Sequence, residues 1–212
     1  MEKVLLLHGL GGQGWMMRPL AAELRKQGFS TAIWSYQSFR RSINSHAQKL
    51  QSLVCDLSRE HDRLHVVGHS MGGILIRAAV NGISLPNAGR MVMLGPPNAG
   101  SAVARHFAKW VNFLCPALGE LSDQPDSLVN RLPSSTLFET GVIAARFDNV
   151  VSRQSTHLPG ERDHTVVSCR HGMLPFSKSA IEQTVFFLNN GLFTASETAA
   201  RNQAISPLPT GF

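Results

Sequence analysis

The chain has 212 residues, 43 % hydrophobic and 16 % charged, a globular composition that excludes wholesale disorder. A chain this long buries about 70 % of its unfolded surface, so it needs neither disulfides nor metal to fold. Lys and Arg number 20 and Asp and Glu 14, a net charge of +6, but no run of five basic residues and a single tyrosine give no basic-aromatic pattern for nucleic acid. Cys55, Cys115 and Cys169 are an odd number without repeated spacing, which argues against a disulfide framework and offers no zinc pattern. No apolar run reaches the length of a membrane span. The apolar run Val4–Leu7 is too short for a signal peptide and no small-residue cleavage pattern follows it, so the expected compartment is cytoplasmic.

Val4–Leu7 is continuously apolar and ends in glycines, the pattern of a strand buried on both faces. Trp15–Lys26 places Met17, Leu20, Ala21 and Leu24 on one helical face, with Gly28 as a stop. Thr31–Tyr36 is rich in β formers. Ser42–Arg59 carries Ile43, Ala47, Leu50, Val54 and Leu57 at steps of three and four, a second helix. Leu64–Val67 is a buried strand, Ile74–Asn81 a helix and Met91–Leu94 a strand running into Gly95-Pro96-Pro97. Strands alternating with helices imply βαβ crossovers and a parallel sheet. The stretch 98–137 breaks that rhythm. Its amphipathic segment (Val103, Phe107, Trp110, Val111, Leu114) and its Pro- and Ser-rich remainder suggest a small cap over the sheet's edge. Gly141–Ala145 and Thr165–Cys169 resume as strands, and Ser177–Asn190 is the final helix. The expected organisation is one domain over 1–194, with 195–212 a loosely held tail.

Gly68-His69-Ser70-Met71-Gly72 is G-x-S-x-G between a strand and a helix. A turn this sharp forces its central residue into strained backbone angles, and glycines two before and two after leave room where a Cβ would collide. The Ser70 hydroxyl then stands over a helix N-terminus, where free N–H groups favour developing negative charge. The alternatives are an ordinary Gly-rich βα turn or a phosphate loop, but neither G-x-G-x-x-G nor a P-loop lysine is present here. Acyl transfer also needs two converging N–H donors for an oxyanion. One is expected from Met71, the residue after the nucleophile, and the other from Leu10 in His8-Gly9-Leu10-Gly11-Gly12.

Leu7-His8-Gly9-Leu10-Gly11-Gly12, Gly68-His69-Ser70-Met71-Gly72-Gly73 and Gly95-Pro96-Pro97-Asn98-Ala99-Gly100-Ser101 together resemble the α/β-hydrolase superfamily, most of all its bacterial lipase/esterase-type members, over Val4 to Phe193. The resemblance implies an α/β-hydrolase fold: a minimal, mostly parallel sheet of about six strands with helices on both faces. It is minimal because the antiparallel strands that many members place before the first strand are missing. The resemblance also implies the chain order Ser, acid, His. The base should follow the last strand, which selects His171, with His164 and His157 as rivals. His46, His61 and His106 read as residues on helical faces, His69 as part of the turn and His8 as structural. The acid should follow the preceding strand. Asp148-Asn149-Val150-Val151 resembles the family's Asp-Gly-x-Val turn with Asn for Gly, a residue that tolerates positive φ. Asp163 and Asp126 stay as alternatives.

The implied activity is a serine hydrolase of small-molecule acyl esters through a Ser70-His171-Asp148 triad, with no metal or organic cofactor, no nucleic-acid partner and no integral membrane span. An acyltransferase, a thioesterase or a non-catalytic binding protein on the same fold are the alternatives. The segment Val103–Leu114 suggests either an acyl-chain pocket under the cap or plain packing of a cap helix.

Overall fold

A computed structural model describes residues 1–111, 114–134 and 137–194, the side chain of Val111 excepted; the expected tail, 195–212, lies outside them. Six strands, β1 (Glu2–Leu7), β2 (Ser30–Trp34), β3 (Arg63–His69), β4 (Ala88–Leu94), β5 (Glu139–Ala145) and β6 (Asp163–Val167), form one sheet in the order β2-β1-β3-β4-β5-β6. Every pairing is parallel, where the sequence suggested mostly parallel. The order reverses direction after β2, so the loops following β1 and β3 sit side by side at the sheet's C-terminal edge. That reversal is where ligands bind in open α/β sheets.

Helices α1 (Arg18–Lys26), α2 (Ile43–Glu60), α3 (Met71–Val80) and α8 (Lys178–Asn190) cover the two faces. Alternation along the strands divides the core accordingly. Leu5 and Leu7 of β1, Leu64 and Val66 of β3, and Met91 and Met93 of β4 join Leu50, Val54, Ile74 and Leu75 on the α2–α3 side. Val4, Leu6, Val67, Val92 and Ile143 join Leu20, Leu24, Phe187 and Leu188 on the α1–α8 side. Both sets of side chains are buried, so the strands read in sequence as unbroken apolar runs rather than alternating ones.

Several boundaries differ from expectation for local reasons. The helix expected from Trp15 begins at Arg18, because Pro19 cannot follow an α-helical turn without its ring meeting the carbonyl four residues back; Gly14–Met17 is a 3-10 turn instead. β2 stops at Trp34 because Tyr36 turns under the sheet's edge and stacks on His8, with centroids 4.3 Å apart and ring planes 8° apart. β6 covers Asp163–Val167 rather than Thr165–Cys169, since the Cys169 N–H donates to Val167 O at 2.9 Å and leaves the ladder. Ser42 and Ser177 are N-caps whose hydroxyls accept from Ser45 N–H and Ala180 N–H.

Between β4 and β5 lie three short helices, α4 (Ala102–Val111), α5 (Ala117–Glu120) and α6 (Leu128–Arg131). Ala104, Ala117, Leu121, Leu128 and Val129 bury against the α2–α3 side, and the Glu120 carboxylate accepts from Ile43 N–H at 2.6 Å at the start of α2. The apolar stripe over 103–114, which suggested either an acyl-chain pocket or the packing of a cap helix, presents three large side chains to solvent. Phe107 is 54 % exposed, Trp110 78 % and Leu114 51 %, because the small residue Ala104 and the Ser101–Leu121 backbone contact carry the packing of this segment.

Candidate active site

Ser70 is the single residue between β3 and α3, at φ 52°, ψ −123°. Few L-residues adopt this conformation, and it persists only where the surroundings enforce it. Here Ser70 N–H donates to Leu94 O of β4 at 2.8 Å and Gly73 N–H donates to Ser70 O at 3.0 Å. A Cβ on Gly68 would collide with the backbone of Gly72 and Gly73, and one on Gly72 would come within 2.7 Å of His8 O. Both glycines are thus required by close backbone approach, which lets α3 start directly over β1 and β3.

His171 opens a 3-10 turn, His171–Phe176, after β6. Arg146 N–H donates to Val167 O (2.8 Å) and Phe147 N–H to Cys169 O (3.0 Å), so the loops leaving β5 and β6 run together. That brings the His171 ring to Asp148, with Nδ1 2.7 Å from Asp148 Oδ2 and Nε2 3.0 Å from Ser70 Oγ. An ionised carboxylate only accepts, so Nδ1 carries the ring proton and Nε2 presents its lone pair to the hydroxyl. The Asp148 and His171 side chains are 3 % and 10 % exposed. Burial acts to raise the Asp148 pKa, but hydrogen bonds from His171 and from the N–H groups of Val150 and Val151 outweigh it and hold the carboxyl below its ordinary value.

Gly9 lies against Ser70: a Cβ there would sit 2.8 Å from Ser70 Cβ. The turn it begins closes through Gly12 N–H to Gly9 O at 3.1 Å, a bond that does not use the Leu10 amide. Met71 is the first residue of α3, where an N–H has no intrahelical acceptor. His8 anchors this turn from behind. Its Nδ1 donates to Gly9 O (2.9 Å), its Nε2 accepts from Tyr36 N–H (3.2 Å), and Tyr36 O–H donates to His8 O (2.6 Å). A cavity of ≈ 500 Å³ lined by Gly11, Gly12, Tyr36 and Phe39 borders the turn, and neither Ser70 nor His171 is among its lining residues.

The other candidates lie elsewhere. Asp163 starts β6, and its carboxylate accepts from His164 N–H and, at 2.7 Å, from Phe193 N–H, an anchor for the chain after α8. Asp126 lies in the turn before α6. His164 and His157 stack on each other near the start of β6, ring centroids 3.9 Å apart.

The sequence reading undervalued His69. Its buried Nε2 donates to His171 O at 3.1 Å, tying the turn of Ser70 to the loop of His171. Position inside G-x-S-x-G was the only signal, and it does not disclose a partner 102 residues away. Burial, with the nearby His171 adding to it, drives the His69 pKa to about 3. Burial likewise lowers His8, His46, His65 and His164. Each of these folded values lies below the ordinary 6.5, so between them the unfolded chain binds more protons than the native one. The associated stability is present above pH ~6.5 and is lost as pH falls toward the folded values. Between pH 6.5 and 5, His69 alone accounts for about 2 kcal/mol. The urea midpoint is therefore expected to fall steeply over this range, and His69→Gln, whose amide can still donate to His171 O, to flatten the slope; equal slopes would remove His69 as the cause.

The model of the Alpha/beta hydrolase family matches residues 4–181. Among solved structures, the mature form of lipase BlEst2 from Bacillus licheniformis superposes with a TM-score of 0.68 at 17 % identity, over 87 % of this chain and 88 % of that one. Type II thioesterase BorB of the borrelidin biosynthetic cluster gives 0.61 at 16 % identity, over 89 % and 91 %. Phospholipase PlaB from Legionella pneumophila gives 0.58 at 16 % identity, over 74 % of this chain and 45 % of that one. A search of the curated proteins finds no match. No helix among the described residues is long and apolar enough to cross a membrane. With the family model spanning most of the sequence, the chain belongs to the alpha/beta hydrolase family.

Proposed function

We propose that this protein is a serine hydrolase of carboxylic esters and that Ser70, His171 and Asp148 carry the reaction. The observation behind this reading is the continuous chain of contacts from Asp148 through His171 to the Ser70 hydroxyl, at 2.7 and 3.0 Å. Ser70 Oγ attacks the acyl carbonyl while its proton passes to His171 Nε2. Asp148 stabilises the imidazolium through Nδ1–H. The N–H groups of Leu10 and Met71 hold the oxyanion. His171 then protonates the leaving alcohol, the C–O bond to it breaks, and an acyl-Ser70 ester remains. A water that gives its proton to His171 attacks this ester; His171 passes that proton to Ser70 Oγ as the acyl C–O bond breaks, and the acid leaves with the hydroxyl of Ser70 restored.

Apolar surface beside the site supports an acyl substrate. Trp15, just after the Leu10 turn, meets Phe176 of the His171 turn at 6.0 Å. Trp15 and Met173 are each about half exposed, at 53 % and 51 %. In this reading 98–137 serves as a cap and the protein works in the cytoplasm. Acyl thioesters are the second substrate class, favoured by the likeness to BorB.

A panel of p-nitrophenyl esters from acetate to dodecanoate, run beside acyl-pantetheine thioesters, tests the reading, together with a fluorophosphonate probe read by mass spectrometry. Ester turnover and labelling confined to Ser70 are the expected results. Thioester turnover without ester turnover would move the protein to the second class, and folded protein that takes no label would make it a binding protein.

A further inference from the structure

Away from the site, the link from α7 (Arg153–Thr156) to β6 gathers three metal-ligating side chains that the proposed reaction does not use. His157, Glu161 and His164 each offer one ligand atom, and these atoms lie within 4.8 Å of one another. We propose that His157, Glu161 and His164 form a binding site for a divalent transition-metal ion, zinc by its donor set, that clips the 157–164 loop to the start of β6. Two imidazoles and one carboxylate are a nitrogen-rich borderline set, which zinc accepts with water in a fourth position.

The ligand atoms are near enough to one another for a single ion. Tetrahedral zinc with bonds of about 2.0–2.1 Å needs ligand atoms roughly 3.3 Å apart. His157 Nδ1 and Glu161 Oε1 stand at 2.6 Å, sharing the imidazole proton. A cation placed between them replaces that proton, which leaves to solvent. The two imidazoles stack, centroids 3.9 Å and planes 18° apart; because ring-nitrogen lone pairs lie in the ring plane, ion binding turns the exposed His157 ring out of this stack so that both nitrogens converge.

The surroundings hold these ligands as outer partners of metal sites do. Thr156 Oγ lies 3.0 Å from His164 Nε2 and, through its hydrogen, donates to Arg153 O at 2.6 Å, which fixes the hydroxyl and with it the rotation of the His164 ring. The second oxygen of Glu161 accepts from Leu158 N–H at 3.0 Å, leaving Oε1 facing His157. The Glu161 side chain is 14 % exposed while that of His157 is 50 % exposed, so the ion has a supported floor and an open approach. Arg153 also bears on His164, and the Asp163 carboxylate beside that ring acts against this cation. His164 pairs in register with Val142 near the beginning of β5 and β6, whereas Ser70 follows the far end of β3. The ion is structural in this position.

Titration of chelator-treated, full-length protein with Zn²⁺ by calorimetry is the test. The expected result is one ion bound per chain with proton release, a melting temperature raised by excess zinc, and an affinity weakened by about tenfold or more in His157→Gln, Glu161→Gln and His164→Gln. Ser70→Ala and His171→Gln should bind zinc like the parent. Co²⁺ should give a spectrum without a thiolate charge-transfer band, since the three free cysteines lie outside the cluster. Should the variants not fold, Co²⁺ added to the parent protein should shift the ring resonances of His157 and His164 and leave those of His171. Absence of stoichiometric binding, binding undiminished in the folded Glu161→Gln and His164→Gln variants, a thiolate band, or shifts centred on His171 would each overturn the site.

Discussion

Ser70→Ala is expected to lower kcat/KM for p-nitrophenyl esters by at least about 10⁴-fold, because the nucleophilic oxygen is gone and only oxyanion donors and substrate binding remain. The same protein should melt within a few degrees of the parent, since alanine keeps the Cβ and the backbone at φ 52°, ψ −123°. Ser70→Gly separates chemistry from strain. Glycine has no Cβ to strain at this φ, so the substitution should recover part of a strain of about 1–3 kcal/mol, less about 0.5–1 kcal/mol for glycine's greater freedom in the unfolded chain. The expected outcome is an inactive protein about 1 kcal/mol more stable to urea. A glycine variant less stable than the alanine one would show that the turn stores no strain, and ester turnover surviving in either variant would remove Ser70 as nucleophile.

Asp148→Asn is expected to cost about 10³–10⁴-fold in kcat with little change in KM. The carbonyl oxygen of the introduced amide can keep the bonds from Val150 N–H and Val151 N–H, which both fall on Asp148 Oδ1 in the parent. The amide nitrogen then faces His171 Nδ1 where Oδ2 stood. It donates, so Nδ1 must accept and the proton moves to Nε2, leaving no lone pair to take the Ser70 proton. Asp163→Asn should leave kcat close to that of the parent while lowering the melting temperature, because Asp163 holds Phe193 N–H by a charge-assisted bond. A pH–rate profile of each variant separates the two. If Asp163→Asn proved as damaging as Asp148→Asn, the acid would be misassigned.

The resemblance carried by three glycine-rich turns, with the chain order it implies, singled out Ser70, Asp148 and His171, and the structure brings these three within hydrogen-bonding distance. That was legible because each sits at a fixed offset from a strand end, and strand ends show in sequence as apolar runs that stop. Glycine spacing around Ser70 was legible for a steric reason, the collision a Cβ at 68 or 72 would make. Asp163 and His164 stayed open as rivals in the sequence, read as lying at the start of the last strand, the opposite edge of the sheet from Ser70. Their partners could not be foreseen, because Phe193 and Thr156 are chosen by packing.

Less legible was anything decided on the outside of the fold. The stripe of Val103, Phe107, Trp110 and Leu114 has the spacing of a packed helix face, yet Phe107, Trp110 and Leu114 are exposed. Periodicity reports that a helix has an apolar side, not what that side meets. The end of β2 was missed because Tyr36 bonds to His8, 28 residues earlier, instead of extending the strand.

By itself, then, the sequence determined the order of the six strands and the four helices that cover them, the mostly parallel character of the sheet and the sharp turn at Ser70. All of these follow from local apolar runs, from glycines and from what the chain's own sterics permit. Only the tertiary structure decided that loops after β5 and β6 travel together to place His171 on Asp148, that His69 ties two of these loops, and that His157, Glu161 and His164 share one corner. Those are meetings between segments distant in the chain, or between neighbours folded back on each other. Their geometry is set by the register of the sheet and the packing on its two faces, which no short stretch of sequence contains.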